Sequence, residues 1–121
     1  MEFGSIYGYR NQLDLICIIL DIYLTVNPKK PKLIIREKEA LAYYIINGFS
    51  DKTVKEVESF LTAEINNNYV RSINSSLRKK GYLVKDERNY RKSRLAEDML
   101  ILRKEFVEGN NRKYMIGFKK L

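Results

Sequence analysis

The side chains whose types and spacing could do chemistry lie between residues 68 and 94. Asn68, Tyr69, Arg71, Ser72 and Ser75 come first, then Arg78, Lys79, Lys80, Lys85, Arg88, Arg91, Lys92 and Arg94. Their chemistry is recognition of a polyanion, not bond making. Arg can bond guanine through two parallel N–H donors, Asn can pair with adenine, and Ser or Lys can take phosphate or a base edge. Within Arg71–Arg94 there are nine Lys/Arg and two acids. The bias is local: residues 1–68 hold eight Lys/Arg against nine Asp/Glu, a net of −1, and residues 69–121 hold fifteen against six, a net of +9. One half of the chain is electrically ordinary and the other is built to meet polyanions.

Other chemistry finds few residues. The chain has no His and a single cysteine, Cys17, so the commonest general base, the commonest metal ligand and any intrachain disulfide are missing. Glycine-rich phosphate loops, nucleophile elbows and zinc spacings are absent from the sequence. Glu37/Glu39, Glu56/Glu58 and Glu97/Asp98 are acid pairs, but their spacings do not converge on one helix face and read as solvated surface. Carboxylate-only chemistry with magnesium stays open. The expectation is a protein that is not an enzyme and needs no cofactor, with Cys17 serving packing or a subunit contact.

An apolar content of 45% in 121 residues argues for one folded domain with a modest core. Leu13–Val26 is very apolar but spans fourteen residues and contains two Asp, too short for a membrane crossing. An intracellular, cytoplasmic location is therefore expected, in a bacterial or host cell, with a virion open as well. Residues 1–5, MEFGS, read as two cloning sites in series, and nothing is drawn from them. The run NPKKPK (Asn27–Lys32) should be a solvated loop between an N-terminal arm, residues 1–27, and a second unit, residues 33–121.

The elements that must position the cations follow from periodicity. In NQLDLICIILDIYLTV, Asp14, Cys17, Asp21 and Thr25 fall on one helical stripe, whereas a strand would send the two Asp to opposite faces. Asn11 can cap that helix with Asp14 at N3. The helix is apolar over most of its circumference and wants cover on more than one side. Cover by the core plus a second copy predicts a homodimer through Leu13–Val26; a helix central to a monomer is the alternative. Leu33–Ile35 reads as a short strand, and Arg36–Gly48 as a helix with Leu41, Tyr44 and Ile45 inward. Ser50 or Asp51 caps a third helix to about Thr62, burying Val54, Val57 and Leu61. Asn66–Asn68 caps a fourth, running to Lys80, that buries Val70, Ile73 and Leu77 and stops at Gly81. Its other face shows Asn68, Arg71, Ser72, Asn74, Ser75, Arg78 and Lys79. Leu83–Lys85 and Tyr90–Leu95 are strands around a charged turn, Ala96–Val107 is an amphipathic helix, and Lys113–Lys119 a final strand.

This order is mainly α with a small β-hairpin, an α+β class, and its middle is a helix-turn-helix followed by a wing. The N-terminal part of such a helix reads bases, which favours Asn68, Tyr69, Arg71, Ser72 and Ser75. Arg78, Lys79 and Lys80 in the last turn also complement the helix dipole. On the wing, cations point to both faces, which suits phosphate tracking by Lys85, Arg91, Lys92 and Arg94 and insertion of Arg88 into a minor groove. Solvated helix surface, and a charged edge that deters aggregation, are the plain structural readings of the same residues.

The run INSSLRKKGYLVKDERNYRKSRLAEDMLILRKEF resembles the recognition-helix-and-wing segment of winged helix-turn-helix regulators, most of all the MarR-like group. Leu77-Arg78-Lys79-Lys80-Gly81-Tyr82-Leu83 matches the helix end, Asp86 to Arg94 the charged wing, and Leu95-Ala96-Glu97 the step into the next helix. The resemblance covers roughly residues 33–107. The chain departs from that group in lacking its long C-terminal dimerisation helix. The resemblance implies double-stranded DNA as partner and regulation of transcription as the role. A more distant likeness to phage-encoded regulators and packaging adaptors leaves an alternative: a virion, packaging or replication adaptor that docks on protein or holds DNA without reading it.

Overall fold

Helix α1 (Arg10–Val26) turns Ile16, Ile19 and Leu20 into the core and leaves Asp14, Asp21 and Thr25 exposed with Cys17 half-buried, the stripe that spacing predicts. The computed structural model describes residues 10–61 and 68–108. Asn11 lies inside α1 and has helical backbone, so it is not the N-cap residue expected there. Ile16, Ile19 and Leu20 join the same apolar cluster as Leu41, Tyr44, Val57, Leu77, Leu83 and Met99. The helix is thus part of the common core rather than an arm standing off from it.

The loop after α1 is pinned rather than merely solvated. The Lys30 ammonium meets Asp98 at 2.5 Å, the Tyr82 hydroxyl donates to the Pro31 carbonyl, and Lys80 Nζ donates to the Lys32 carbonyl at 2.8 Å. No strand forms at Leu33–Ile35. Ile34 instead becomes the extended N-cap residue of α2 (Ile35–Asn47), because its amide donates to Glu37 Oε1 at 3.0 Å. That is half a capping box, since isoleucine offers no side-chain oxygen in return. Helix α2 buries Ala40, Leu41, Ala42, Tyr44 and Ile45 and ends at Gly48, whose φ of +87° suits glycine.

Ser50 caps α3 (Asp51–Leu61) reciprocally: the Thr53 amide donates to Ser50 Oγ at 3.3 Å and the Ser50 amide to Thr53 Oγ1 at 2.9 Å. Thr53 and Val57 face inward and Val54 is half-buried. Helix α4 (Asn68–Lys79) buries Val70, Ile73 and Leu77 as spacing predicts, and Asn74 against expectation. Its end is a Schellman motif. The Tyr82 amide returns to the Leu77 carbonyl at 2.9 Å and the Gly81 amide to Arg78 at 3.1 Å, with Gly81 at φ +87°.

Strands β1 (Leu83–Asp86) and β2 (Asn89–Leu95) form a two-stranded antiparallel sheet, pairing Leu83 with Leu95, Val84 with Arg94 and Lys85 with Ser93. The register breaks between Lys85 and Asp86. The connection is tight because Asp86 Oδ1 accepts the Arg88 amide at 2.9 Å, a side-chain mimic of a backbone turn. Helix α5 (Glu97–Arg103) buries Met99 and Leu102. The single helix expected to Val107 changes instead to a π-helical turn at Lys104–Glu108. Arg103 Nε donates to Glu108 at 2.7 Å, an i,i+5 pair that a wider turn brings onto one side.

The result is a mainly helical α+β structure with one small antiparallel sheet among the described residues. No helix among them is long and apolar enough to cross a membrane. Asn68 is the first residue of α4; the other expected caps, Asn66 and Asn67, and the strand at Lys113–Lys119 lie outside the described residues.

Candidate nucleic-acid interface

The inward row of α4 decides which polar residues remain for a ligand. Val70, Ile73, Asn74 and Leu77 recur at i, i+3, i+4 and i+7 and are buried. Asn74 sits there because its side-chain oxygen accepts the hydroxyl of Tyr44, itself fully buried, at 2.9 Å. A polar group can be buried at small cost only when it is paired in this way. Arg71, Ser72, Arg78 and Lys79 are left exposed on the outward side, with Tyr69, Ser75 and Ser76 half-buried at its margins. Arg71 and Arg78 are seven residues apart and share one row; Ser72 and Lys79 share the next.

The hairpin packs beside this face. Arg78 Nη1 approaches Ser93 Oγ at 3.4 Å, a direct contact between α4 and β2. Between helix and hairpin opens a cleft of about 490 Å³, lined by Arg71, Asn74 and Arg78 from α4, Lys92, Ser93 and Arg94 from β2, and Phe49 and Ser50 from the α2–α3 turn with Asp51 and Val54 from the start of α3. Four cations from two elements therefore line one opening. Asp86 and Asp51 are the acids of its wall. Asp86 is occupied by the Arg88 amide, and Asp51 lies in the first turn of α3, where a carboxylate offsets the dipole.

Not every expected contact is free. The Lys80 ammonium lies 2.7 Å from Glu37 Oε1 and also donates to the Lys32 carbonyl, so it closes the base of the helix instead of facing outward. Glu37 is buried, and burial alone would raise its pKa. Donors from Lys80, Ser76 and the Ile34 amide overcome that and hold the carboxyl below its ordinary value. Arg94 is likewise engaged: it donates to the Leu95 carbonyl at 2.9 Å and lies 3.6 Å from Glu97 and 3.9 Å from Glu87. Both residues contribute more to structure than to an outward-facing cationic surface.

The remaining expectations fall on open ground. Arg88 at the hairpin tip is 94% exposed, and Lys85 and Lys92 are exposed on the two strands. The side chains of Asn68 and Arg91 lie outside the described residues. Sequence reasoning missed the α2–α3 turn as a wall of the cleft. The Ser50-x-x-Thr53 capping pair marks a helix start there, but which neighbour that start faces depends on contacts distant in sequence.

Among the described residues no group of three or more His, Cys, Asp or Glu could hold a metal ion. Comparison with protein-family models, with curated proteins and with solved structures returns no match.

Proposed function

We propose that this chain is a winged-helix protein that binds double-stranded DNA and regulates transcription. Helix α4 would enter the major groove and the β1–β2 hairpin would lie along the backbone toward the adjacent minor groove. The observation that carries the reading is the convergence of Arg71, Arg78 and Lys92 on one open cleft between helix and hairpin. A merely solvated surface does not require cations from separate elements to face each other. It would tend to pair them with acids, as Lys80 and Arg94 are paired.

In this reading Arg71, Ser72 and Ser75 reach base edges, with Tyr69 at their margin. Arg78, Lys79, Lys85 and Lys92 neutralise phosphates, and Arg88 at the tip is placed to enter a narrow minor groove. The test is a set of duplexes enriched by selection and then varied one base at a time. Arg71→Ala should change the preference at one position by about 1–3 kcal/mol, whereas Lys92→Ala should weaken all sequences alike. Equal losses on every duplex for both variants would remove Arg71 from base reading.

A further inference from the structure

Helix α1 carries a second surface that DNA binding does not use. Asp14, Ile18, Ile22 and Val26 succeed one another at four-residue steps and form one row about 18 Å long. All four are exposed, Ile18 by 53%, Ile22 by 44% and Val26 by 67%. Lys29, also exposed, follows just beyond the C-terminal end of the helix. Lys38 of α2 reaches Asp21 at 3.0 Å, so the first turn of α2 lies alongside the last turns of α1. Ile35, one turn before Lys38 and 68% exposed, widens the apolar surface on that side. Scattered exposed aliphatics are ordinary, but a continuous row with an acid at one end and a cation at the other is a patterned surface.

The pattern is complementary to itself in one orientation only. Two copies of α1 side by side in parallel would oppose Asp14 to Asp14 and Lys29 to Lys29. Turned antiparallel about a two-fold axis at Ile22, each Ile18 meets Val26 of the partner subunit and each Asp14 comes opposite Lys29 of the partner subunit. The helix dipoles then also oppose. An isologous contact of this kind uses the same patch on both copies and closes at two.

We propose that the Ile18–Ile22–Val26 row is the contact surface for a second copy of this chain, packed antiparallel through α1 with Asp14 and Lys29 as its reciprocal end contacts. The surface is distinct from the cationic cleft, so this inference stands or falls apart from the DNA reading.

The experiment is sedimentation equilibrium of the full chain without DNA, at micromolar concentration and moderate salt. Twice the monomer mass is expected. Ile22→Glu, at an exposed position, should give a folded monomer whose thermal midpoint falls only by the lost mass-action stabilisation of the dimer. Asp14→Lys and Lys29→Asp should each weaken self-association roughly tenfold, and the double exchange should restore it, because each reversal creates two symmetric like-charge contacts. A monomeric native chain, including one whose own residues 109–121 cover the row, overturns the proposal, as does a dimer indifferent to Ile22→Glu. A double exchange that fails to restore association overturns the antiparallel register. Titrating Ile22→Glu with DNA keeps the two readings separable: loss of the dimer with DNA binding retained rejects neither, whereas a wild-type monomer that binds DNA rejects only this one.

Discussion

Lys80 and Glu37 face each other at 2.7 Å, forty-three residues apart in the chain, and tie the end of α4 to the first turn of α2. The pair divides the cations of the basic half into two kinds. Those held by acids or carbonyls, Lys80 and Arg94, fix the frame; those around the cleft with no such partner among the described residues, Arg71 and Lys92 foremost, are left for a ligand.

Lys80→Ala should therefore cost stability rather than DNA affinity. It leaves a buried carboxylate short of its charged partner, a loss of about 1–3 kcal/mol. Lys92→Ala should leave stability within about 0.5 kcal/mol and reduce the salt dependence of DNA binding by about one phosphate. Chemical denaturation and binding isotherms on the two variants check both halves. A Lys80→Ala protein with wild-type stability would contradict the division.

Stability should fall on acidification through the same carboxylates. Glu37 is held below its ordinary pKa as described, and Asp98, partly desolvated, is held low by Lys30, the Tyr23 hydroxyl and the Met99 amide. Because both folded-state values are depressed, the stabilisation is complete above the unfolded carboxylate range near 4 and is lost as pH falls through the folded values. Denaturation midpoints measured from pH 7 downward should stay flat and then drop below about pH 4, with a shallower drop in Glu37→Gln. A midpoint that rises on acidification would have the wrong sign.

Tyr44→Phe should destabilise the chain by about 1–3 kcal/mol, because it strips the buried Asn74 oxygen of its donor while keeping the ring that meets Phe49 edge-on at 4.7 Å. Tyr44→Phe combined with Asn74→Leu should recover part of that loss, since removing both polar partners is cheaper than removing one. Thermal melts of the single and double variants decide it.

Gly81→Ala should cost about 1–2 kcal/mol through backbone strain alone. The residue sits at φ +87° and a Cβ there would meet nothing within 4 Å, so crowding makes no contribution. A cost near zero would mean that the Schellman end of α4 relaxes freely, and the placement of the hairpin after it would be less fixed than described.

Much of the frame was legible in the sequence, and the reasons are local. Val70, Ile73 and Leu77 announce α4 by period, Lys80-Gly81-Tyr82 announces its stop by glycine chemistry, and the charged run Asp86–Asn89 between two short strands marks the hairpin turn. What was not legible depends on partners distant in the chain. Asn74 looks like surface until Tyr44, thirty residues earlier, supplies its donor. Leu33–Ile35 looks like strand until Glu37 captures the Ile34 amide. Lys80 and Arg94 carry the same charge as Lys92 in any count of composition, and only the acids brought beside them by folding separate structural cations from available ones.

The central claim is that the available cations bind duplex DNA. The most direct measurement is fluorescence anisotropy of a labelled random duplex titrated with the chain over a range of salt concentrations. The account predicts binding that weakens steeply, with a log–log slope of roughly −4 to −8, the release of several counterions per complex. Absence of binding even at low salt would contradict it and would point the basic face at a protein partner instead.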